Sequence, residues 1–549
     1  MKNRVLKLDP RDNVLIALAN LSNGEEVAFA AHSLRLVSDV PAKHKFATED
    51  LPVGANIIMY GVLVGDATEP IRKGELLTTR NVHHDAAAFH EKTAEVKWTP
   101  PDVSAWRDRT FLGYRRSDGQ VGTRNYWLVV PLVFCESRNI AVLKQAFEEE
   151  LGFAAPQIYK RQVAELAQLY REGKTEELKS RAESAANADP PRARLFENID
   201  GIKFLIHEGG CGGTREDAQN LCGLIAGYIH HPNVAGATVL SLGCQHAQIP
   251  ILQEELRKRS PNLDKRLVIL EQQKSGTEAA MLTQAIRNTF LGLVEANKVA
   301  RTPEPLSKLC VGLKCGGSDG FSGLSANPAI GHTSDLLAAL GGRTILSEFP
   351  ELCGVEQELI NRSTSTEVSG RFIHLMRSYN ARAKAVGSGF EMNPSPGNIR
   401  DGLLTDAMKS AGAAKKGGNS PVTAVLDYPE YSTEPGLNLQ CTPGNDVECV
   451  TAQVGAGANV VLFTTGLGTP TGNPIAPVVK LSTNSSLDQR MHDIIDIDTG
   501  GVISGDTSIA QMGEKILDFV IRVAGGEVRT KAEGKGQEDF IPWKRGVSL

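Results

Sequence analysis

No run in this chain approaches the roughly 20 consecutive apolar residues that a membrane-spanning helix requires. The opening stretch Met1-Lys2-Asn3-Arg4-Val5-Leu6-Lys7 lacks an apolar signal core, so the expected location is the cytoplasm, with no membrane partner. Aromatic residues are scarce, at 5%, and the formal net charge is −5. Without a basic excess or a Lys/Arg stripe interleaved with aromatics, nucleic acid is excluded as a partner. An anionic small molecule is not excluded, because a few local arginines suffice to fork a carboxylate. There is no Gly-x-Gly-x-x-Gly to cradle a dinucleotide and no Cys-x-x-Cys pair to make a zinc knuckle. Nine cysteines in 549 residues do not make a disulfide framework. In a reducing compartment, cysteines beside glycines are more often metal ligands or catalytic groups.

Glycine is abundant, with 54 residues, which favours tight turns and close backbone approaches. A hydrophobic share of 41% against 22% charged marks a globular chain, long enough for about two to four domains. Residues 1–95 carry short strand-like runs (Val14–Leu18, Glu26–Ala30, Ser33–Val37, Asn56–Val62) punctuated by Gly24, Gly54 and Gly74, and predict a small β-rich domain. Residues 96–110, with paired Pro100-Pro101, predict a linker. From 111 to 388, strand-like runs at 126–134, 201–206, 237–242, 266–270, 309–313 and 343–347 alternate with helical stretches such as Glu216–Gly227 and Thr277–Asn297. This alternation predicts an α/β region of mostly parallel sheet flanked by helices. Residues 160–197 predict an exposed helical insertion. A second α/β part is expected over 389–549, with strands at 422–426, 460–464 and 477–481 and a helix near 507–523.

Ligands of open α/β sheets bind outside the carboxyl ends of the strands. Four expected strand ends each present a cysteine: Cys135, Cys211, Cys244 and Cys315, the last three flanked by glycine. Thiolates suit soft metals and iron–sulfur clusters, so Cys211, Cys244 and Cys315, with Cys135 as a further ligand, form the candidate metal set. The alternative for any one of them is a small buried hydrophobe, the reading favoured for Cys222, Cys310, Cys353, Cys441 and Cys449. Arg115, Arg116, Arg124 and Asn125 bracket a turn and are candidates to fork a substrate carboxylate; a solvated hairpin is the plain alternative. Glu348, Glu351 and Glu356 are placed to ligate metal or move protons. Asn398 and Asn445 sit in rigid Pro/Gly turns, and Thr465 opens a glycine-rich loop like an anion-binding nest. His44-Lys45 and His83-His84 are candidate proton carriers or ligands.

Taken together, these strings resemble the altronate/galactarate dehydratase family. The similarity is carried by Tyr114-Arg115-Arg116 with Val121-Gly122-x-Arg124-Asn125, Gly210-Cys211, Gly243-Cys244, Cys315-Gly316-Gly317-Ser318-Asp319-Gly320, Asn393-Pro394-Ser395-Pro396-Gly397-Asn398, Pro443-Gly444-Asn445-Asp446 and Gly468-Thr469-Pro470, in the family's order along nearly the whole chain. The resemblance implies an N-terminal β-clip domain of the SAF type, a two-part catalytic region, and dehydration of a sugar acid with iron as metal. His44-Lys45 resembles the family's His-Lys motif. One departure stands out: where the family carries His-x-His-Asn, this chain has Thr78-Thr79-Arg80-Asn81.

Loss of water from a 2,3-dihydroxy acid needs a base for the C2 proton and acid or Lewis-acid help for the leaving C3 hydroxyl. The base candidates are His207, His44 and Lys480, with Lys45 and Asp319 as further catalytic residues. Ser318, Asn398, Asn445 and Thr465 join the arginines as candidate substrate ligands. Iron is expected either as a [4Fe-4S] cluster or as mononuclear Fe2+, and a homo-oligomer is expected. Elimination of another β-substituent, such as sulfite, is the nearest alternative, and a nucleotide-dependent oxidoreductase or a non-catalytic metal-binding protein are more distant ones.

Overall fold

The computed structural model describes residues 4–29, 32–154, 158–180 and 193–548. The small domain is all β, as expected. Val5–Leu6, Val14–Ala17 and Lys45–Ala47 form one sheet, Glu26–Phe29 and His32–Arg35 a hairpin, and Asn56–Met59, Val62–Ala67 and Val82–His83 another sheet. The run expected as one strand over 56–62 is instead a hairpin. Tyr60 and Gly61, at φ 57° and 72°, make its two-residue turn, and Met59 pairs with Val62; positive φ at both central residues matches the right-handed strand twist. The core of this domain (Val14, Ile16, Ile57, Met59, Val64) continues into Phe321, Leu324, Leu404, Ala407 and Met408 of the catalytic region, so the two are welded by shared apolar packing.

Two parallel sheets follow. The first has the order 201–204, 126–131, 234–241, 266–271. The second has seven strands, in the order Val422–Leu426, Gly436–Gln440, Arg343–Leu346, Cys310–Cys315, Val460–Thr465, Val478–Ser482, Ile497–Asp498, again all parallel. Strands from both sides of residue 388 interleave here, so the boundary expected at 388/389 falls inside one sheet. Strand Gly436–Gln440 was not foreseen, because its Asn438 and Gln440 read as polar; both are buried and hydrogen-bonded. The expected linker is not free chain, since Val103 and Trp106 enter the large core and the Trp106 indole donates to Asp518 at 2.8 Å. In the expected insertion, helices Ile158–Arg171 and Thr175–Ser180 bury no residue, and residues 181–192 lie outside the described ones. No described helix is long and apolar enough to cross a membrane.

The arginines expected at the substrate instead tie the sheets together. Arg115 forks Glu304 at 2.9 and 2.7 Å, and Arg116 donates to Pro232 O at 2.7 Å and to Asn125 Oδ1 at 3.0 Å. Arg124 forks Glu533 at 2.8 and 3.0 Å, and Asn125 donates to Asn198 O at 2.7 Å. Each of them has an internal partner, and the Arg115 side chain remains partly open to solvent. Between the sheets, helices Arg215–His230 and Asp446–Gly455 meet so closely that a Cβ on Gly227 would overlap the Gly455 carbonyl. Gly227→Val should therefore cost about 1–3 kcal/mol through overpacking, read as a lowered thermal midpoint; an unchanged midpoint would show that the helices part without cost.

Candidate active site

The carboxyl edge of the seven-stranded sheet holds two adjoining groups of charged side chains, both hung from strand Cys310–Cys315 and the loop after it. The first group is an ion network. Lys314 pairs with Glu348 and, at 2.9 Å, with Asp446; Lys416 lies 2.7 Å from Glu348 Oε2 and donates to Cys315 Sγ at 2.7 Å. Glu351 accepts from Lys409 at 2.7 Å and from the Cys315 thiol at 3.4 Å, and Lys409 also donates to Asn393 Oδ1 at 2.8 Å. Lys314, Lys416 and Glu348 are sealed from solvent, at 0–1% side-chain exposure. Burial opposes the charge on Lys314, yet Asp446 and Glu348 outweigh it and hold the ammonium well above its usual range. Burial likewise opposes the charge on Glu351, but Lys409, Lys314 and Lys416 bring its carboxyl down to about 2. Burial pushes the Cys315 thiol up to about 12.

Cys315, Glu348 and Glu351 bring ligand atoms within 4.8 Å of one another, a spacing fit for a metal. The lysines, however, already balance these carboxylates, and a dication would face three ammonium groups at close range. The cluster is thus a charge-neutral lock. Glu348 holds its place at φ 67°, in the left-handed region, which costs a non-glycine residue roughly 1–3 kcal/mol and persists only where the surroundings enforce it.

The second group centres on buried Asp319. Its Oδ2 meets Lys43 Nζ at 3.0 Å and accepts from Thr483 Oγ1 at 3.1 Å; its Oδ1 accepts from the Phe321 amide at 3.2 Å and the Ser322 hydroxyl at 3.1 Å. Lys43, at φ 75°, also pairs with Asp401 at 2.8 Å. Lys45 donates to the carbonyls of Gly402 at 2.6 Å and Lys43 at 3.1 Å. Complete burial lowers its pKa to about 7, with Asp319 opposing the shift. A Cβ at Gly402 would overlap the Lys43 carbonyl, so this approach requires glycine. His44 Nδ1 lies 3.2 Å from Ala42 O. A carbonyl only accepts, so Nδ1 carries the proton and the Nε2 lone pair is available. Burial lowers the His44 pKa, which keeps the ring neutral.

Of the residues expected from sequence, His44, Lys45, Asp319, Ser318, Asn398 and Thr465 converge here. Asn398 Nδ2 donates to Ser318 O at 2.7 Å, the Ser318 hydroxyl is buried without a partner, and Thr465 Oγ1 accepts from Gly468 N at 2.9 Å beside Gly317. Others do not join them. Both ring nitrogens of His207 are spent, Nε2 on Pro131 O at 2.7 Å and Nδ1 on the Gly209 amide at 3.1 Å, and burial lowers its pKa to about 4. Lys480 donates to Gln537, and burial lowers its pKa to about 8. Asn445 caps helix Asp446–Gly455, accepting from Val447 N and Glu448 N at 3.1 and 3.2 Å. Cys315 belongs to the ion network and ends a strand of the seven-stranded sheet, whereas Cys211 and Cys244 follow strands of the four-stranded sheet. Cys135, Cys211 and Cys244 are exposed, on loops that follow three adjacent parallel strands and touch one another through Phe134 N to Gly209 O and Ala247 N to Gly210 O, both at 3.0 Å. Sequence reading missed Lys43, Lys314, Lys409, Lys416 and Thr483. Lys314 had a signal, a lysine inside an otherwise apolar strand; Lys409 and Lys416 had none.

Lys416→Met leaves Glu348 buried with one partner fewer and should cost about 3–5 kcal/mol, measured by denaturant unfolding. Because the Glu351 pKa is depressed from 4.5 to about 2, its stabilisation is present above pH 4.5 and lost as pH falls toward 2. Glu351→Gln should flatten that part of the acid-unfolding curve; a curve of unchanged slope would refute the ion-pair account.

Comparison with known proteins agrees with this architecture. Three family models match in order: the altronate/galactarate dehydratase SAF domain over residues 3–85, the second domain of D-galactarate dehydratase/altronate hydrolase over 113–297, and the C-terminal domain of D-galactarate/altronate dehydratase over 306–548. The chain is 32% identical to an altronate dehydratase of Bacillus subtilis (strain 168) over 544 residues, covering 99% of both chains. It is also 32% identical to an altronate dehydratase of Escherichia coli (strain K12), again over 99% of both. A galactarate dehydratase (L-threo-forming) of the same E. coli strain is 29% identical over 97% of this chain and 94% of its own. With its SAF domain docked on two parallel sheets and full-length identity above 30%, this chain belongs to the altronate/galactarate dehydratase family.

Proposed function

We propose that this enzyme is a hydro-lyase that removes water from a sugar acid, an aldonate or aldarate, and leaves a 2-keto-3-deoxy acid. The observation that carries the reading is the convergence of His44 and Lys45 from the small domain on Asp319, Ser318, Asn398 and Thr465 at the carboxyl edge of the large sheet. The names of the relatives supply the reaction class.

His44 is the base for the C2 proton. Its ring is neutral, its Nε2 lone pair is free, and it is half-buried rather than sealed. Lys45 positions it: the ammonium clamps the Lys43 and Gly402 carbonyls and so fixes the turn that presents the imidazole. Lys43 is the cation at the mouth, where it lowers the cost of the charge that builds on the substrate carboxylate as C2 loses its proton. Asp319 orients Lys43.

The reading calls for iron, and Cys135, Cys211 and Cys244 are the residues to hold it. They are exposed, glycines at positive φ (Gly210, Gly212, Gly243) flank two of them, and their loops touch. Among the described residues, the three thiols do not form a donor group within 4.8 Å. A cluster takes its thiolates on separate irons, so its ligands need not meet at one point. When bound, iron with an open position supplies Lewis-acid help to the leaving hydroxyl.

His44→Gln should lower kcat by about 10²–10⁴-fold in a keto-acid assay over a panel of aldonates and aldarates, with KM little changed. Lys45→Met should disturb KM and kcat together. Full activity of His44→Gln would reject the base assignment, and absence of keto acid from every sugar acid with iron-loaded enzyme would reject the function. Iron and sulfide analysis after anaerobic purification should show both, and Cys211→Ala should remove them; iron without sulfide would sink the cluster.

A further inference from the structure

Where the small domain meets the catalytic region, His84, Cys353 and Asp406 bring an imidazole nitrogen, a thiol sulfur and a carboxylate oxygen within 4.8 Å of one another. They come from three separate segments. His84 follows strand Val82–His83, Cys353 caps the short helix Phe349–Leu352, and Asp406 opens helix Asp406–Ala413. The dehydration chemistry described above uses none of them.

Asp406 supplies an independent observation. Its residue exposure is 0%, and no nitrogen or oxygen donor reaches either carboxylate oxygen; the Cys353 thiol is the one side-chain donor beside it. Buried carboxylates are ordinarily hydrogen-bonded, ion-paired or bound to a metal, because solvation lost on burial must be replaced. Lys409, one turn along the same helix, is held by Glu351 at 2.7 Å and by Asn393 at 2.8 Å. The other charged neighbours are acidic: Glu356, whose carboxylate accepts from the Gly354 amide at 2.6 Å, and Glu391, which acts on both His84 and Cys353. The Ala407 amide points at His84 Nδ1 from 3.5 Å and seats the ring over the start of the Asp406 helix. The setting is thus acidic where the Cys315 network is neutralised by lysine.

We propose that His84, Cys353 and Asp406 bind a divalent transition-metal ion of the zinc or ferrous type, at a site separate from Cys135, Cys211 and Cys244. Imidazole, thiolate and carboxylate together suit such borderline ions, whereas magnesium and calcium prefer all-oxygen cages. Three protein ligands leave a fourth position for water. His84 and Cys353 are both only half-buried, which gives the ion a way in. Binding releases the Cys353 thiol proton to solvent as the sulfur becomes a ligand. The ion would staple the small domain to the helix that carries Lys409, and so hold Lys43 and His44 against the site. The proposal stands independently of the sugar-acid reading, since it needs no substrate to be tested.

The test is cobalt(II) titration of the full-length protein after metal stripping, with absorption spectroscopy and thermal unfolding as readouts. The wild type should develop a thiolate-to-cobalt charge-transfer band that Cys353→Ser loses, as the difference between the two proteins. Asp406→Asn and the half-exposed His84→Gln should weaken the same band. Cobalt should raise the thermal midpoint of the wild type by more than that of Cys353→Ser, which keeps any contribution of the other cysteines. Circular dichroism of His84→Gln and Cys353→Ser confirms that the variants are folded, and either alone suffices if Asp406→Asn is not. Cobalt spectra and midpoints indistinguishable between the wild type and Cys353→Ser would overturn the site.

Discussion

Lysine burial at the carboxyl edge of the large sheet is the constraint on which the catalytic region depends. Lys314 and Lys416 are removed from water, with Lys409 nearly so, and each such ion loses several kcal/mol of solvation that only well-placed opposite charge recovers. The partners arrive from distant stretches: Glu348 and Glu351 after one strand, Asp446 at the start of a helix, and Lys409 and Lys416 beyond a long excursion. Satisfying these charges fixes the relative positions of loops that apolar packing alone would leave free to slide. The left-handed backbone at Glu348 is held by that network.

Asp319 lies four residues beyond Cys315 and inherits this rigidity. Through Lys43 it ties the small domain to the sheet edge, and the apolar core shared by Ile57, Met59, Phe321 and Met408 supplies the adhesion. Of the non-glycine residues at positive φ among those described, Lys43 and Glu348 flank the candidate site and Tyr60 forms the nearby hairpin turn, its hydroxyl against Gly323. Backbone strain of this kind concentrates where the chain must aim a particular group. Here it aims a lysine, a histidine and a glutamate at one edge.

Two kinds of polar burial thus coexist. In the Cys315 network every carboxylate has an ammonium partner, and the result is a lock. At Asp406 the carboxylate has no ammonium partner and no nitrogen or oxygen donor, only the Cys353 thiol beside it, and that is the setting the proposed cation would complete. The same residue types in the same fold serve opposite ends because charge balance differs. For the same reason, a thiol near two carboxylates does not by itself make a metal site.

Alternation of strand and helix, period and turn residues were enough to read the α/β architecture, the β-rich small domain, and the clustering of polar residues at strand ends, because these follow from local geometry and the rule that open sheets bind at their carboxyl edge. The hairpin at Tyr60-Gly61 was missed because an apolar run hides a turn whose signal is one glycine. His44, Lys45, Asp319, Ser318, Asn398 and Thr465 could be singled out as candidates because turn-rich strings mark loops, where function tends to lie. The fate of Arg115, Arg116 and Arg124 was not, since nothing near them in sequence announces Glu304, Pro232 or Glu533 as partners. Nor could spacing reveal that Cys315 ends a strand of one sheet while Cys211 and Cys244 follow strands of another: strand order, not sequence order, decides which strand ends are neighbours. Local sequence was enough for most of the elements and for the chemical groups they carry. Tertiary structure alone decided which groups meet, because ion pairing and burial are set by distance in space between segments that lie hundreds of residues apart along the chain.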